Sequence, residues 1–173
     1  MSFLRWLALL LACLAAPTIA AAQPAAPAAT GREFEDVHVP MAVVKVSAHS
    51  YYVMGQSGVV STANEGFNSN AGFVVTNAGV VVFDALGTPA LGRELRRLIA
   101  QTTTQPIRRV IVSHYHSDHF YGLQALQGPG VEIWAHTLVR DYLATNAGAA
   151  RLEERRHSLA PWVNDKTRIV PPT

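Results

Sequence analysis

The chain has 173 residues, with 14 Lys and Arg against 12 Asp and Glu and a single cysteine. That near balance of charge excludes a nucleic-acid surface built on net basicity, and one cysteine excludes an internal disulfide framework. Once a leader and a linker are set aside, roughly 140 residues remain, which suits one domain rather than two.

Residues 1–22 read as a secretory leader. Arg5 supplies the positive start, the run from Trp6 to Ile19 is mostly apolar, and Ala20, Ala21 and Ala22 form a small-residue cleavage site before Gln23. The apolar run falls short of the ~20 strongly hydrophobic residues of a membrane anchor, so no membrane span is expected after cleavage. The expected location is the periplasm or the exterior. Leu10, Leu11, Ala12 and Cys13 form a poorer match to a bacterial lipoprotein box. With ordinary cleavage the mature chain has no thiol to serve as nucleophile or ligand. Residues 23–40 comprise an Ala/Pro-rich linker and an extended lead-in.

From residue 41 onward the pattern is that of a folded domain. Val43 to Met54 is rich in Val and Tyr and predicts one or two strands, and the Gly, Ser and Asn of residues 55–66 predict a loop. Phe73 to Val75 and Val80 to Phe83 flank Thr76, Asn77, Ala78 and Gly79, which predicts a hairpin in which Asn and Gly tolerate positive φ. Asp84 ends the second of these strands and precedes Gly87; read locally, it is either a turn former or a functional carboxylate. Thr88 is a fitting N-cap with Pro89 at the first helical position. Leu91, Leu95, Leu98 and Ile99 then repeat at helical spacing, with Arg93, Arg96 and Arg97 on a solvated face. A strand over 108–113 follows, and helix–strand alternation predicts a parallel βαβ unit. Val131 to Trp134 is a further strand. Thr137 caps a helix through Ala144 with Leu138, Tyr142 and Leu143 inward, and a second helix runs over 149–159 after a break at Gly148. Arg168 to Val170 reads as the start of another strand. The expected architecture is α/β, a mixed sheet over about residues 43–134 with helices on one face and the other face uncovered.

Residues 114–119 read His-Tyr-His-Ser-Asp-His, three of the chain's seven histidines and a carboxylate, directly after the apolar Val110, Ile111 and Val112. Imidazole nitrogen and carboxylate oxygen are ligands for zinc and similar ions. In extended chain His114 and His116 point the same way and can reach one ion. Asp118 and His119, at the turn into a helix, can face a second. The plain alternative is a solvated loop rich in histidine. His38 and His49 read as surface residues. His136, at a strand end, reads as a rim residue, with a metal or substrate contact as its alternative.

The pattern H-x-H-x-D-H after an apolar strand resembles the metallo-β-lactamase-fold hydrolases. The resemblance runs over residues 41–173 and includes Asn70, Ala71, Gly72, Phe73, Val74 and Val75, then Val80, Val81, Val82, Phe83 and Asp84. It implies an αββα sandwich, present here as its N-terminal half. It implies two zinc ions (Zn2+), the first held by His114 and His116 and the second by Asp118 and His119, with Asp84 bracing the ligand loop. His119 places the chain nearer the glyoxalase II-like, all-His/Asp branch than the β-lactamases that use a Cys at the second metal. The implied activity is hydrolysis of an ester, thioester or amide bond, β-lactams included, in a small-molecule substrate by a metal-bound hydroxide that Asp118 helps to orient. A third His for the first metal, a bridging Asp and a last His have no match here, and neither His136 nor His157 sits in such a context. The chain therefore reads as a truncated piece, expected to be inactive as it stands. The alternatives are a non-catalytic metal- or partner-binding module and an inert fragment. Substrate identity and oligomeric state leave no mark in the sequence.

Overall fold

The computed structural model describes residues 33–173; the leader, the lipoprotein-type Cys13 and most of the linker lie outside the described residues. Alternating β-branched and aromatic residues build a six-stranded sheet whose spatial order follows the chain: β1 (Val43–Lys45), β2 (Ser50–Val53), β3 (Ala71–Thr76), β4 (Gly79–Phe83), β5 (Ile107–Val112) and β6 (Glu132–Ala135). β1 to β4 form an antiparallel meander, while β5 joins β4 and β6 joins β5 in parallel. The change from antiparallel to parallel follows from the connections. β3 and β4 pair Thr76 with Gly79 across a two-residue loop. The left-handed residue there is Gly79, φ 123°, and not Asn77. β4 and β5 are joined by a long helix, α1 (Pro89–Thr102), which carries the chain back over the sheet.

α1 forms where its sequence signals place it. The Thr88 hydroxyl accepts the Leu91 amide at 3.2 Å, and Pro89 follows at the first position. Leu91, Leu95, Leu98 and Ile99 are buried; burying each contributes roughly 1.5–3 kcal/mol. Two of the three arginines of α1 do more than meet solvent. Arg93 donates to the Glu35 carbonyl at 2.8 Å and pairs with Asp36, and Arg96 donates to the Ala125 and Gln127 carbonyls.

Beyond β5 come two single-turn helices, α2 (Ser117–Phe120) and α3 (Leu123–Leu126), then β6, α4 (Leu138–Leu143) and α5 (Asn146–Ser158). Three expectations fail here. Leu138 points outward at 64% exposure, while Val139 is buried and Leu143 packs against the core; the second and sixth residues of α4, four apart, form the inward stripe, not the first. Gly148 does not break α5 but lies buried inside it. The helix starts earlier because the Thr145 hydroxyl caps it by accepting the Ala147 amide. Residues 168–170 form no strand, and the tail reaches β6 only through Thr173, whose amide donates to the Ile133 carbonyl at 2.9 Å.

The two faces of the sheet differ. On one, Tyr51, Phe73, Val82, Val110 and Ile133 lie in register across β2 to β6, and they meet α1 and α3 in a single core. On the other, one register row crosses all six strands: Val44, Tyr52, Gly72, Phe83, Ile111 and Trp134. Among the described residues no helix covers that row, and Val44, Phe83 and Trp134 are 42%, 45% and 47% exposed. The Arg109 guanidinium lies 3.6 Å from the Trp134 ring centre and pairs with Glu132 at 2.6 Å, shielding part of this face. The α/β architecture with helices on one face is therefore the one the residue pattern predicts. Among the described residues no helix is long and apolar enough to cross a membrane.

Candidate metal centre

β4 and β5 run parallel, so the residues that leave their carboxyl ends are neighbours. That is where ligands bind in sheets of this kind. Asp84 leaves β4 and residues 113–119 leave β5. The latter run bends at His114 and Tyr115, is extended again at His116, and then closes into the single turn of α2. A bend, not the extended chain expected, sets His114 and His116 side by side, with ring centres 4.6 Å apart. The turn returns His119 toward them, its ring centre 4.1 Å from that of His114. The His119 Nε2 lies 3.6 Å from the Asp118 Oδ2. The four residues of the motif thus share one site, with His116 and Tyr115 on its exposed rim.

Asp84 ties the two strand ends together. Its Oδ1 accepts the Ser113 amide at 2.8 Å. Its Oδ2 accepts the Ser113 hydroxyl at 2.8 Å and lies 2.9 Å from the His119 Nδ1. The backbone follows suit: the Asp84 amide donates to the Ile111 carbonyl, the Ala85 amide to that of His119, and the Gly122 amide to that of Leu86. To make these contacts Asp84 and Leu86 adopt φ of 61° and 68°, a left-handed conformation that costs a non-glycine residue roughly 1–3 kcal/mol. Burial pushes the Asp84 carboxyl up, but hydrogen bonds from His119 and Ser113 outweigh it and hold the group below its ordinary value. Burial works against the His119 imidazolium too, and the Asp84 contact outweighs it, so His119 is raised. His114 is lowered, by burial first and then by the neighbouring imidazoles of His119 and His116.

Asp118 is held from a loop distant in sequence. Asn68 Nδ2 donates to its Oδ2 at 3.0 Å, and the Ser69 hydroxyl makes a short hydrogen bond to its carbonyl oxygen. Asn68, Ser69 and Ser113 are parts of the site that the sequence reading missed. Ser113 flanks the motif and its hydroxyl lies 2.9 Å from the His114 Nδ1. Asn68 and Ser69 offer only the weak signal of a polar pair between buried Phe67 and β3. The remaining described histidines stand apart from the cluster or at its margin. His38 pairs with Glu65 and His157 with Glu153. His136 accepts the Leu138 amide at its Nδ1 and borders a cavity that also touches His114.

The donor set suits a zinc-type ion. His114 and His119 each have Nδ1 engaged, by Ser113 and Asp84, which leaves Nε2 to coordinate; bracing of this kind orients metal-binding histidines generally. Among the described residues no three His, Cys, Asp or Glu side chains converge tightly enough to enclose an ion as they stand.

The family profile of the metallo-beta-lactamase superfamily matches residues 64–172, well over half of the chain. The chain belongs to the metallo-beta-lactamase superfamily. Solved structures agree on the fold. A metallo-beta-lactamase from Hirschia baltica superposes with a TM-score of 0.51 at 24% identity, over 65% of this chain and 48% of that one. The metallo-beta-lactamase FIM-1 from Pseudomonas aeruginosa, in its mono-zinc form, gives 0.51 at 18% identity, over 68% and 50%. A stereoselective inverting sec-alkylsulfatase from Pseudomonas sp. gives 0.52 at 23%, over 67% of this chain but 18% of the other. The chain therefore spans half or less of the length of these structures. No curated protein matches it significantly.

Proposed function

We propose that this chain carries the metal-binding part of a zinc-dependent hydrolase acting on an ester, thioester or amide bond, β-lactams included, of a small-molecule substrate. The observation that supports it most is the meeting of His114, His116, Asp118 and His119 at the carboxyl ends of two parallel strands, with Asp84 bracing both. His114 and His116 would hold one ion, and Asp118 and His119 a second. Zinc, when bound, supplies a Lewis acid and brings the pKa of water to ~7, so hydrolysis at neutral pH needs no Ser or Cys nucleophile. Asp118 would both hold the ion and accept a hydrogen bond from the attacking water, aligning it with the substrate carbonyl. Asn68 fixes that carboxylate, and Asp84 keeps the Nε2 of His119 turned toward the site without touching substrate. With residues 1–22 as a leader, the reaction would take place in the periplasm or outside the cell.

Among the described residues the donors do not converge tightly enough to enclose an ion, which keeps a second reading, a non-catalytic metal- or partner-binding module or an inert fragment. Metal content and turnover of the full-length protein of which this chain would be the metal-binding part, set against its Asp118→Ala variant, separate the two. The hydrolase reading expects turnover of chromogenic ester, thioester or β-lactam substrates to fall by about 10²-fold or more in the variant, on the scale of losing a group that acts in the transition state. Metal binding with no turnover in either protein would leave only the module.

A further inference from the structure

Two cavities flank the His/Asp cluster, separated by a pair of aromatic rings. Tyr115 and Tyr142 lie with ring centres 4.6 Å apart, and both border each cavity. One cavity, of about 380 Å³, is apolar and is walled by Leu138, Val139 and the two tyrosines beside His114. The other, of about 260 Å³, touches His116 and Asp118 and is bordered also by Arg151 and Arg155 of α5. The metal-binding reading accounts for neither the arginines nor the division.

From this arrangement we infer that the substrate is an organic anion with an apolar arm: its carboxylate or sulfate oxygens are bound by Arg151 and Arg155, and its apolar part lies against Leu138 and Val139. The inference rests on the proposed hydrolytic site, since the bond to be cleaved would lie between the two arms, over the cluster. The arginines are only partly committed. Arg155 donates from Nε to the Ser117 hydroxyl at 3.2 Å and from Nη1 to Glu154 at 3.1 Å. Arg151 donates from Nη1 to the same Glu154 at 2.6 Å. Among the described residues no partner engages the Nη2 of either. Two guanidinium groups thus share one carboxylate of α5, and each keeps donors for a planar or tetrahedral oxyanion. Asp118 is the other negative group at this cavity, and in the hydrolytic site its charge is taken up by the ion. Beside the arginines and Tyr142, and close enough to feel their charge, stands Tyr121. It is 1% exposed, and its hydroxyl has no hydrogen-bond partner. An unpaired buried hydroxyl is costly, but Tyr121 does not line the cavity, and the inference rests on the arginines and the division.

The subsite consists of this chain's own side chains, so it can be tested without metal or turnover. Calorimetry on the chelator-treated Asp118→Asn protein, which lacks the carboxylate charge that the ion would take up, would measure binding of hexanoate and hexyl sulfate, with 1-hexanol as the neutral control. At least one anion should bind, and the alcohol should bind about tenfold more weakly or not at all. Arg151→Gln and Arg155→Gln should each weaken the anion by about tenfold, while Arg151→Lys keeps part of the affinity. Glu154→Gln should tighten it, because it frees both guanidinium groups; a purely structural role for the arginines would not give that sign. Equal binding of anion and alcohol, or anion binding unchanged in both Gln variants, would overturn the inference. Either result would leave the metal-centred hydrolase standing, because no metal takes part in the measurement.

Discussion

Replacing Gly122 with Ala is expected to be the most damaging single methyl group that can be added to this chain. The cause is space, not backbone freedom: Gly122 has φ −70° and ψ −10°, which alanine adopts readily. A Cβ there would overlap the Ala85 carbonyl oxygen and stand 2.9 Å from the Ala85 carbon and 3.0 Å from the Gly92 Cα. From the other side, a Cβ on Gly92 would overlap the Gly122 carbonyl oxygen and come within 2.7 Å of its Cα. Three backbones therefore meet at one point: α1, the link from α2 to α3, and the loop that carries Asp84. Backbone cannot step aside as a side-chain tip can, so the cost should reach the upper range for overpacking, about 3 kcal/mol, or roughly 10 °C in melting temperature. Gly128→Ala is the control, since its Cβ would meet only the Val131 Cγ2 at 3.8 Å. Thermal melts of both variants check this. Equal melting temperatures would mean that the helices can separate without cost.

Asp84→Ala should damage metal binding more than it damages the fold. It removes the acceptor of the Ser113 amide and hydroxyl and the partner of the His119 Nδ1. His119 would then be free to turn, and the bend after β5 would lose its anchor. Loss of such an orienting partner typically costs about 10–100-fold in metal affinity. Alanine must also hold the φ of 61°, which asparagine tolerates better. Asp84→Asn should therefore melt above Asp84→Ala while sharing much of its loss in zinc affinity, a split that competition against a chelator and thermal melts would resolve. The ion pair also gives the metal-free protein a pH window. Asp84 is depressed, so its contribution is present above the ordinary carboxylate pKa and is lost as pH falls through its folded value. His119 is raised, so its contribution is full below the ordinary imidazole pKa and is lost as pH rises through its folded value. Stability that depends on this pair is greatest between those limits, and Asp84→Ala should flatten the profile.

What could be read in advance was whatever local pattern controls. The hairpin of β3 and β4 follows from two Val-rich runs around a short polar turn, and α1 from Thr88, Pro89 and a leucine stripe. The position of the His/Asp cluster follows from the apolar run of β5. What escaped was set by partners distant in sequence. Asn68 and Ser69 reach Asp118 across about fifty residues, and nothing near either pair announces the other. Arg93 and Arg96 look solvated on a helical wheel, yet they bind backbone carbonyls of neighbouring segments. Gly148 looked like a helix breaker because glycine costs about 1 kcal/mol in a helix. In the fold it lies buried near the start of α5, where even a Cβ would stand at ordinary contact distance, 3.5 Å from the Tyr142 carbonyl oxygen and 3.6 Å from the Leu143 Cα, and the Thr145 cap and the packing around it outweigh that cost. Leu138 was placed inward on hydrophobicity alone, whereas it faces the apolar cavity beside His114.

The central claim is that His114, His116, Asp118 and His119 together form a metal site. X-ray absorption at the zinc edge of the zinc-loaded protein and of its His116→Ala variant tests it most directly. The claim predicts ligation by several imidazole nitrogens with carboxylate oxygen in the wild type, and fewer imidazoles with less bound zinc in the variant. The same zinc content and an unchanged imidazole count in His116→Ala would contradict it.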